Sequence, residues 1–136
     1  MIDDRKLSAL ERAAREAAGR AYCPYSRFPV GAAVLAADGQ VHSGCNVENA
    51  SYGLTICAER NAVFQAVART AEPLHIKAVL VYTPTASPTA PCGACRQVLN
   101  EFGPDAEVIC VCDGPDTIRT TLKELLPRAF GPASLK

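Results

Sequence analysis

The period of the hydrophobic positions changes several times along the chain, and each change marks an element. Leu7, Leu10, Ala14, Ala17 and Ala21 recur at helical intervals with Asp, Glu and Arg between them. This spacing predicts an amphipathic helix over about Asp3–Gly19, with Gly19 at its C-terminal end. Tyr22–Pro29 holds two prolines and cannot continue it. Two extended runs follow, Val30–Ala37 and Gln40–Asn46, separated by Asp38-Gly39, which predicts a β-hairpin. Thr55 is placed to cap a helix reaching about Ala68, with Ala58, Ala62, Val63, Ala66 and Val67 inward. His75–Tyr82 contains Ala78-Val79-Leu80-Val81 and reads as a strand buried on both faces. Thr83–Pro91 carries three prolines and reads as a loop. Cys92–Phe102 reads as a helix stopped by Gly103-Pro104, and Glu107–Cys112 as a second buried strand. After the turn at Asp113-Gly114-Pro115 come a short edge strand over Thr117–Thr120 and a last helix. Thr121 and Glu124 have the spacing of a capping box at its start, and Pro127 ends it. Strand–helix–strand crossovers imply parallel neighbours and the opening hairpin an antiparallel pair, so the pattern describes a mixed sheet covered by helices, an α/β sandwich.

Composition narrows the class. A chain of 136 residues is one domain, 1–136, and is long enough to build a core without covalent staples. With 49% hydrophobic and 21% charged residues it is not a disordered chain. Lys+Arg and Asp+Glu are equal at 14 each, and a neutral balance argues against nucleic acid as a partner. No apolar run approaches the roughly 20 residues a bilayer span needs, so no membrane is expected. Met-Ile-Asp-Asp-Arg-Lys lacks a secretion-signal core, so the expected location is cytoplasmic. Seven cysteines in a reducing compartment then point to metal ligands or catalytic groups rather than to disulfides.

Three of them carry the chemistry. Cys57, in Thr55-Ile56-Cys57-Ala58-Glu59-Arg60, and Cys92 and Cys95, in Pro91-Cys92-Gly93-Ala94-Cys95-Arg96, fall at the starts of two predicted helices. Free N–H groups and the positive dipole end favour thiolate there, the form that binds metal. Three sulfurs suit Zn²⁺ with one position left open. A closed structural site would need a fourth donor, from Cys23, Cys45, Cys110, Cys112, His42 or His75. On a regular helix Cys57 and Glu59 point away from each other, so they share a pocket only if Cys57 sits at the helix mouth. Glu59 would then stand beside the open position as a proton carrier; alone, it would read as an acidic residue favoured by the helix dipole. Asn46 and Glu48, two apart, share a face if the second strand reaches them, and otherwise form a polar turn.

Cys57-Ala58-Glu59 with Pro91-Cys92-Gly93-Ala94-Cys95 resembles the zinc nucleoside and nucleobase deaminases, and Cys57 as first ligand makes it similar to the small homotetrameric cytidine deaminases. Arg27-Phe28-Pro29-Val30-Gly31-Ala32-Ala33, the run Gly44–Gly53, and Leu125-Leu126-Pro127 with Phe130 extend the resemblance over nearly the whole chain. It implies a cytidine deaminase-like three-layer α/β/α sandwich with a mixed, about five-stranded sheet. It implies hydrolysis of cytidine and 2′-deoxycytidine to the uridine products plus ammonia, in pyrimidine salvage. Carried over, Cys57, Cys92 and Cys95 hold one Zn²⁺ per subunit and Glu59 shuttles protons, its pKa raised by the neighbouring negative charges. Asn46 and Glu48 bind the ribose, Phe28 and Phe130 pack on the pyrimidine, and Tyr52 stands near a shared wall. Phe130 is expected from a neighbouring subunit of a homotetramer with shared active sites. Arg60 hydrogen-bonds the thiolates, with Arg96 a second candidate. Cys23, Cys45, Cys110 and Cys112 read as packing residues, Phe64 and Phe102 as helix core, and His42 and His75 as surface or satisfied histidines.

Two other readings stay open. A structural zinc or thiol-redox module built on Cys92-x-x-Cys95 leaves Cys57 and Glu59 unexplained. A blasticidin-S-type deaminase, or one acting on polynucleotides, keeps the chemistry and changes the substrate. The neutral charge and the absence of Trp weigh against the polynucleotide.

Overall fold

The structure, a computed structural model, describes residues Met1–Lys136. Helix α1 (Asp4–Ala18) is opened by Asp3, whose carboxylate accepts the Lys6 N–H at 2.9 Å, and it ends at Gly19. Strands β1 (Gly31–Ala36) and β2 (Val41–Cys45) form the antiparallel hairpin, with Gly39 at φ +88° in its turn. Helix α2 (Ala58–Arg69), strand β3 (Ile76–Tyr82), helix α3 (Gly93–Phe102), strands β4 (Glu107–Val111) and β5 (Ile118–Thr121) and the short helix α4 (Leu122–Leu125) follow. Two single-turn 3-10 segments, Tyr52–Leu54 and Pro132–Leu135, have no counterpart in the hydrophobic pattern.

The five strands run in the order β2-β1-β3-β4-β5. Only β3 and β4, joined through α3, are parallel neighbours; every other pairing is antiparallel. The crossover through α2 leaves β2 and β3 pointing the same way but does not make them neighbours. Instead β1 lies between them, paired antiparallel to both. A crossover fixes direction but not how many strands it passes over.

Period-two alternation sorts the sheet's side chains into two cores. Ala32, Val34, Val79, Val81 and Val108 pack under α2, α3 and α4 with Ala62, Val63, Leu99 and Leu122. Ala33, Leu35, Leu80 and Ile109 face the other way, onto Leu10 and Ala14 of α1. One helix below the sheet and three above make the three-layer arrangement. His42 belongs to the upper layer, because it pairs opposite Val34 and sits two residues from Gly44 on the face that meets α2. It is buried and neither ring nitrogen has a partner, which corrects its reading as a surface or satisfied histidine. His75 is exposed. Phe64 and Val67 face outward from α2 rather than into the core, which the helix fills with alanines and Val63. The capping box at α4 is half-formed. Thr121 accepts the Glu124 N–H, while the Glu124 carboxylate takes the Thr120 hydroxyl instead of the Thr121 N–H. Cys110 and Cys112 are buried, whereas Cys23 and Cys45 are only partly so.

Two glycines let helices lie directly on backbone. A Cβ on Gly31 would stand 1.8 Å from the Ala14 carbonyl oxygen of α1. One on Gly44 would stand 2.4 Å from the Ala62 nitrogen and 2.9 Å from the Ala58 oxygen of α2. Gly31→Ala therefore has to lever α1 off the sheet. We expect a loss of about 3 kcal/mol, at the upper end of overpacking costs, seen as a fall of about 10 °C in Tm. A Tm within about 2 °C of the parent would show that α1 does not rest on this strand.

Candidate active site

Thr55 does not cap α2. Its backbone is extended and its hydroxyl accepts the Asn49 N–H at 3.3 Å, while Cys57 occupies the N-cap with φ −70° and ψ 157°. Cys92 holds the same position on α3, at φ −68° and ψ 167°. Neither sulfur bonds back to its own helix. Both therefore project forward from a helix mouth, the condition under which Cys57 and Glu59 can share a pocket. Cys95, in the first turn of α3, is fully buried. The three Sγ atoms lie within 4.8 Å of one another, with Cys57 and Cys92 3.9 Å apart. Four donors at about 2.3 Å around a tetrahedral Zn²⁺ sit about 3.8 Å from each other, so the trio fits zinc with a fourth corner free of protein sulfur.

The electrostatics place a negative charge on Cys57. The Cys57 thiol is pushed down to about 5 by its hydrogen bond with Cys95, helped by Arg60 and Cys92. Arg60 Nη2 donates to Cys57 Sγ at 3.5 Å. Cys95 moves up in turn, through the same bond and its burial. Arg96 does not touch the sulfurs: its Nε donates to the Pro91 carbonyl at 2.7 Å and its Nη1 to the Leu125 carbonyl at 2.9 Å. It ties the loop before α3 to the end of α4. Glu59, only 5% exposed, has its carboxyl pushed up to about 7 by burial, with the Cys57 charge a smaller contribution in the same direction. Like-charge repulsion, the cause expected from the sequence, is thus the lesser one.

A cavity of about 370 Å³ opens onto this cluster beside the C-terminal end of β3. Phe28, Asn46, Glu48, Cys57, Glu59 and Cys92 all line it. Strand β2 stops at Cys45, but single bridges from Val47 to Tyr22 and to Ile56 keep the chain extended. Asn46 and Glu48 consequently share a side as the spacing allowed. Tyr52 lies outside, in an adjoining cavity of about 360 Å³, with its ring 5.8 Å from that of Tyr25. Phe130 lines neither cavity and is 61% exposed. Its carbonyl accepts Gln97 Nε2 at 2.8 Å, which seats the C-terminal segment on α3. A larger depression of about 650 Å³ lies at the other end of the sheet, by Ile76 and Glu107, and holds none of these groups.

Sequence reasoning missed Tyr25 and Ser26. Glu48 Oε1 accepts the Tyr25 and Ser26 N–H groups at 3.0 and 3.1 Å, and Ser26 Oγ donates to Glu48 Oε2. These bonds, the Ser26 hydroxyl first, hold the Glu48 carboxyl below its ordinary value. The signal was the position of Pro24-Tyr25-Ser26 directly before the Arg27–Ala33 segment.

Comparison with known proteins points one way. Residues 4–112 match the model of the cytidine and deoxycytidylate deaminase zinc-binding region. A cytidine deaminase of Sporosarcina psychrophila is 45% identical over 135 residues, covering 98% of this chain and 96% of that protein. One from Mycobacterium tuberculosis is 50% identical over 118 residues, covering 87% and 84%. The crystal structure of a cytidine deaminase from Burkholderia pseudomallei superposes with a TM-score of 0.85 at 51% identity, covering 90% of this chain and 98% of that one.

Proposed function

The chain belongs to the cytidine and deoxycytidylate deaminase family and is a zinc-binding hydrolytic deaminase, and on that premise we propose that it converts cytidine and 2′-deoxycytidine to uridine and 2′-deoxyuridine, releasing ammonia, in cytoplasmic pyrimidine salvage. One observation carries the reading: two sulfurs of a three-cysteine cluster and a buried carboxyl line a nucleoside-sized cavity that also offers an aromatic ring, an amide and a carboxylate.

Cys57, Cys92 and Cys95 hold the zinc, which when bound supplies the Lewis acidity that makes water nucleophilic near neutral pH. Three thiolates weaken that acidity, and the Arg60 guanidinium on Cys57 together with two helix N-termini withdraws some of their charge. Glu59 accepts a proton from the water attacking C4 and places it on N3 of the pyrimidine. It then takes the proton of the hydroxyl now on C4 and gives it to the amine, which departs as ammonia. One carboxyl serves as base and then as acid, and a carboxyl held near 7 suits both steps. Asn46 and Glu48 take the sugar hydroxyls and Phe28 packs on the base.

The single domain 1–136 acts within a homotetramer in which Phe130 reaches a neighbouring subunit's site and Tyr52 stands at a shared wall. In support, Phe130, Tyr52, Tyr25 and Leu54 are exposed here, and Phe130 is away from the cavity of its own chain. No helix is long and apolar enough to cross a membrane.

The test is metal content measured together with the ultraviolet change as cytidine becomes uridine. We expect about one zinc per chain and turnover that chelation abolishes. Stoichiometric zinc with no turnover of cytidine would leave a structural module, and turnover of blasticidin S alone would move the substrate.

A further inference from the structure

The segment before β1 forms a closed hydrogen-bonded unit around Ser26, with Asn46 and Glu48 as partners. Its hydroxyl donates to Glu48 Oε2 and accepts the Phe28 N–H at 3.1 Å. On the other side of Phe28, Asn46 Nδ2 donates to the Phe28 carbonyl at 2.8 Å and Asn46 Oδ1 accepts the Val30 N–H at 2.9 Å. The Phe28 peptide groups are thus gripped at both ends, by Ser26 and by Asn46. Between Ser26 and Phe28 the backbone of Arg27 is left-handed, at φ +54°, a conformation a non-glycine residue adopts at a cost. The Arg27 N–H closes the turn onto the Cys23 carbonyl at 2.9 Å.

Counting acceptor positions shows what this does to Glu48. A carboxylate offers about four lone-pair directions. The Tyr25 and Ser26 N–H groups take Oε1, and the Ser26 hydroxyl takes one side of Oε2. What remains for a substrate hydroxyl is one direction on Oε2, and its aim is set by Ser26. Ser26 also lines both the cavity at the sulfurs and the one beside it, so it stands in the partition between them.

We propose that Ser26 is a positioning residue for the sugar: through one hydroxyl it aims the free lone pair of Glu48 and fixes the Phe28 ring against the base. The inference rests on the nucleoside deaminase reading. It goes further by giving the loop 23–28 a role, and by making Asn46, Glu48 and Phe28 one rigid unit rather than three separate contacts. Without the hydroxyl, the Phe28 N–H and Glu48 Oε2 each lose a partner, and the strained turn at Arg27 loses a bond that over-determines it.

Steady-state kinetics on cytidine separate this role from a merely structural one. Ser26→Ala should raise KM about tenfold to a hundredfold, the range for losing a hydrogen bond to a charged group, with kcat within about threefold of the parent. Ser26→Thr and Ser26→Val share a shape and differ in the hydroxyl. Threonine should restore KM to within about threefold and valine should behave as alanine. In a double-mutant cycle, Ser26→Ala should add little once Glu48→Gln is present, because the two act as a unit. Equal KM for the threonine and valine variants, or full additivity with Glu48→Gln, would overturn the proposal. So would an Ser26→Ala enzyme that loses kcat at unchanged KM. If the parent enzyme itself does not turn over cytidine, the deaminase reading falls first, and that control separates the two failures.

Discussion

Glu59→Gln should lower cytidine turnover by at least about 10²–10⁴, the range for a lost acid–base group, while zinc content and Tm stay at parental values. Glutamine keeps the shape of the carboxyl but cannot carry a proton back and forth. The site offers no substitute, because Glu59 is 5% exposed and the other acidic group on the cavity, Glu48, is committed to the Ser26 loop. Metal should be retained, since Glu59 is not among the three clustered sulfurs and its neutralisation relieves repulsion with Cys57. The measurement is single-turnover deamination beside metal analysis on the same sample. Turnover within tenfold of the parent would remove Glu59 from the proton path.

Cys95→Ala should abolish both metal and turnover. Two remaining sulfurs at two helix mouths make a poor zinc site, and Cys95 is the buried member that a solvent group cannot replace. We expect zinc below about a tenth per chain after desalting, and a thermal transition that no longer responds to added zinc or chelator. The parent's transition should respond to both, because metal that binds only the folded chain adds its binding free energy to folding. One zinc per chain in the variant would show that the trio is not the site.

Much of this was legible in the residues, and the parts that were not share a cause. The helices and strands followed from period, and the candidate metal site, a cluster of three sulfurs, from three cysteines beside predicted helix starts. Spacing cannot tell which of two adjacent polar groups closes a helix. Thr55 has the better capping side chain, yet the backbone turns two residues later, at Cys57, which is what frees its sulfur. Nor can spacing distinguish a core helix face from one left outside: α2 turns the small Ala58, Ala62 and Ala66 inward and carries the larger Phe64 and Val67 on its outer face. Strand order was silent because a crossover can pass over β1 as easily as stop beside it. Ser26 was missed because its importance lies in one hydroxyl meeting a carboxylate twenty-two positions away, a relation that exists only after folding.

The bare approach of α2 to β2 at Gly44 divides the candidate site into two blocks. The start of α2, with Cys57 at its N-cap and Glu59 in its first turn, is registered against the sheet's backbone with no side chain between them. Cys92 and Cys95 ride on α3, seated on the sheet through Leu99 and anchored by Arg96 to the end of α4. A bulkier residue at position 44 would therefore shift one sulfur and the acid together and leave the other two sulfurs where they are. The damage would be a gap opening across the sulfur cluster, with each half intact.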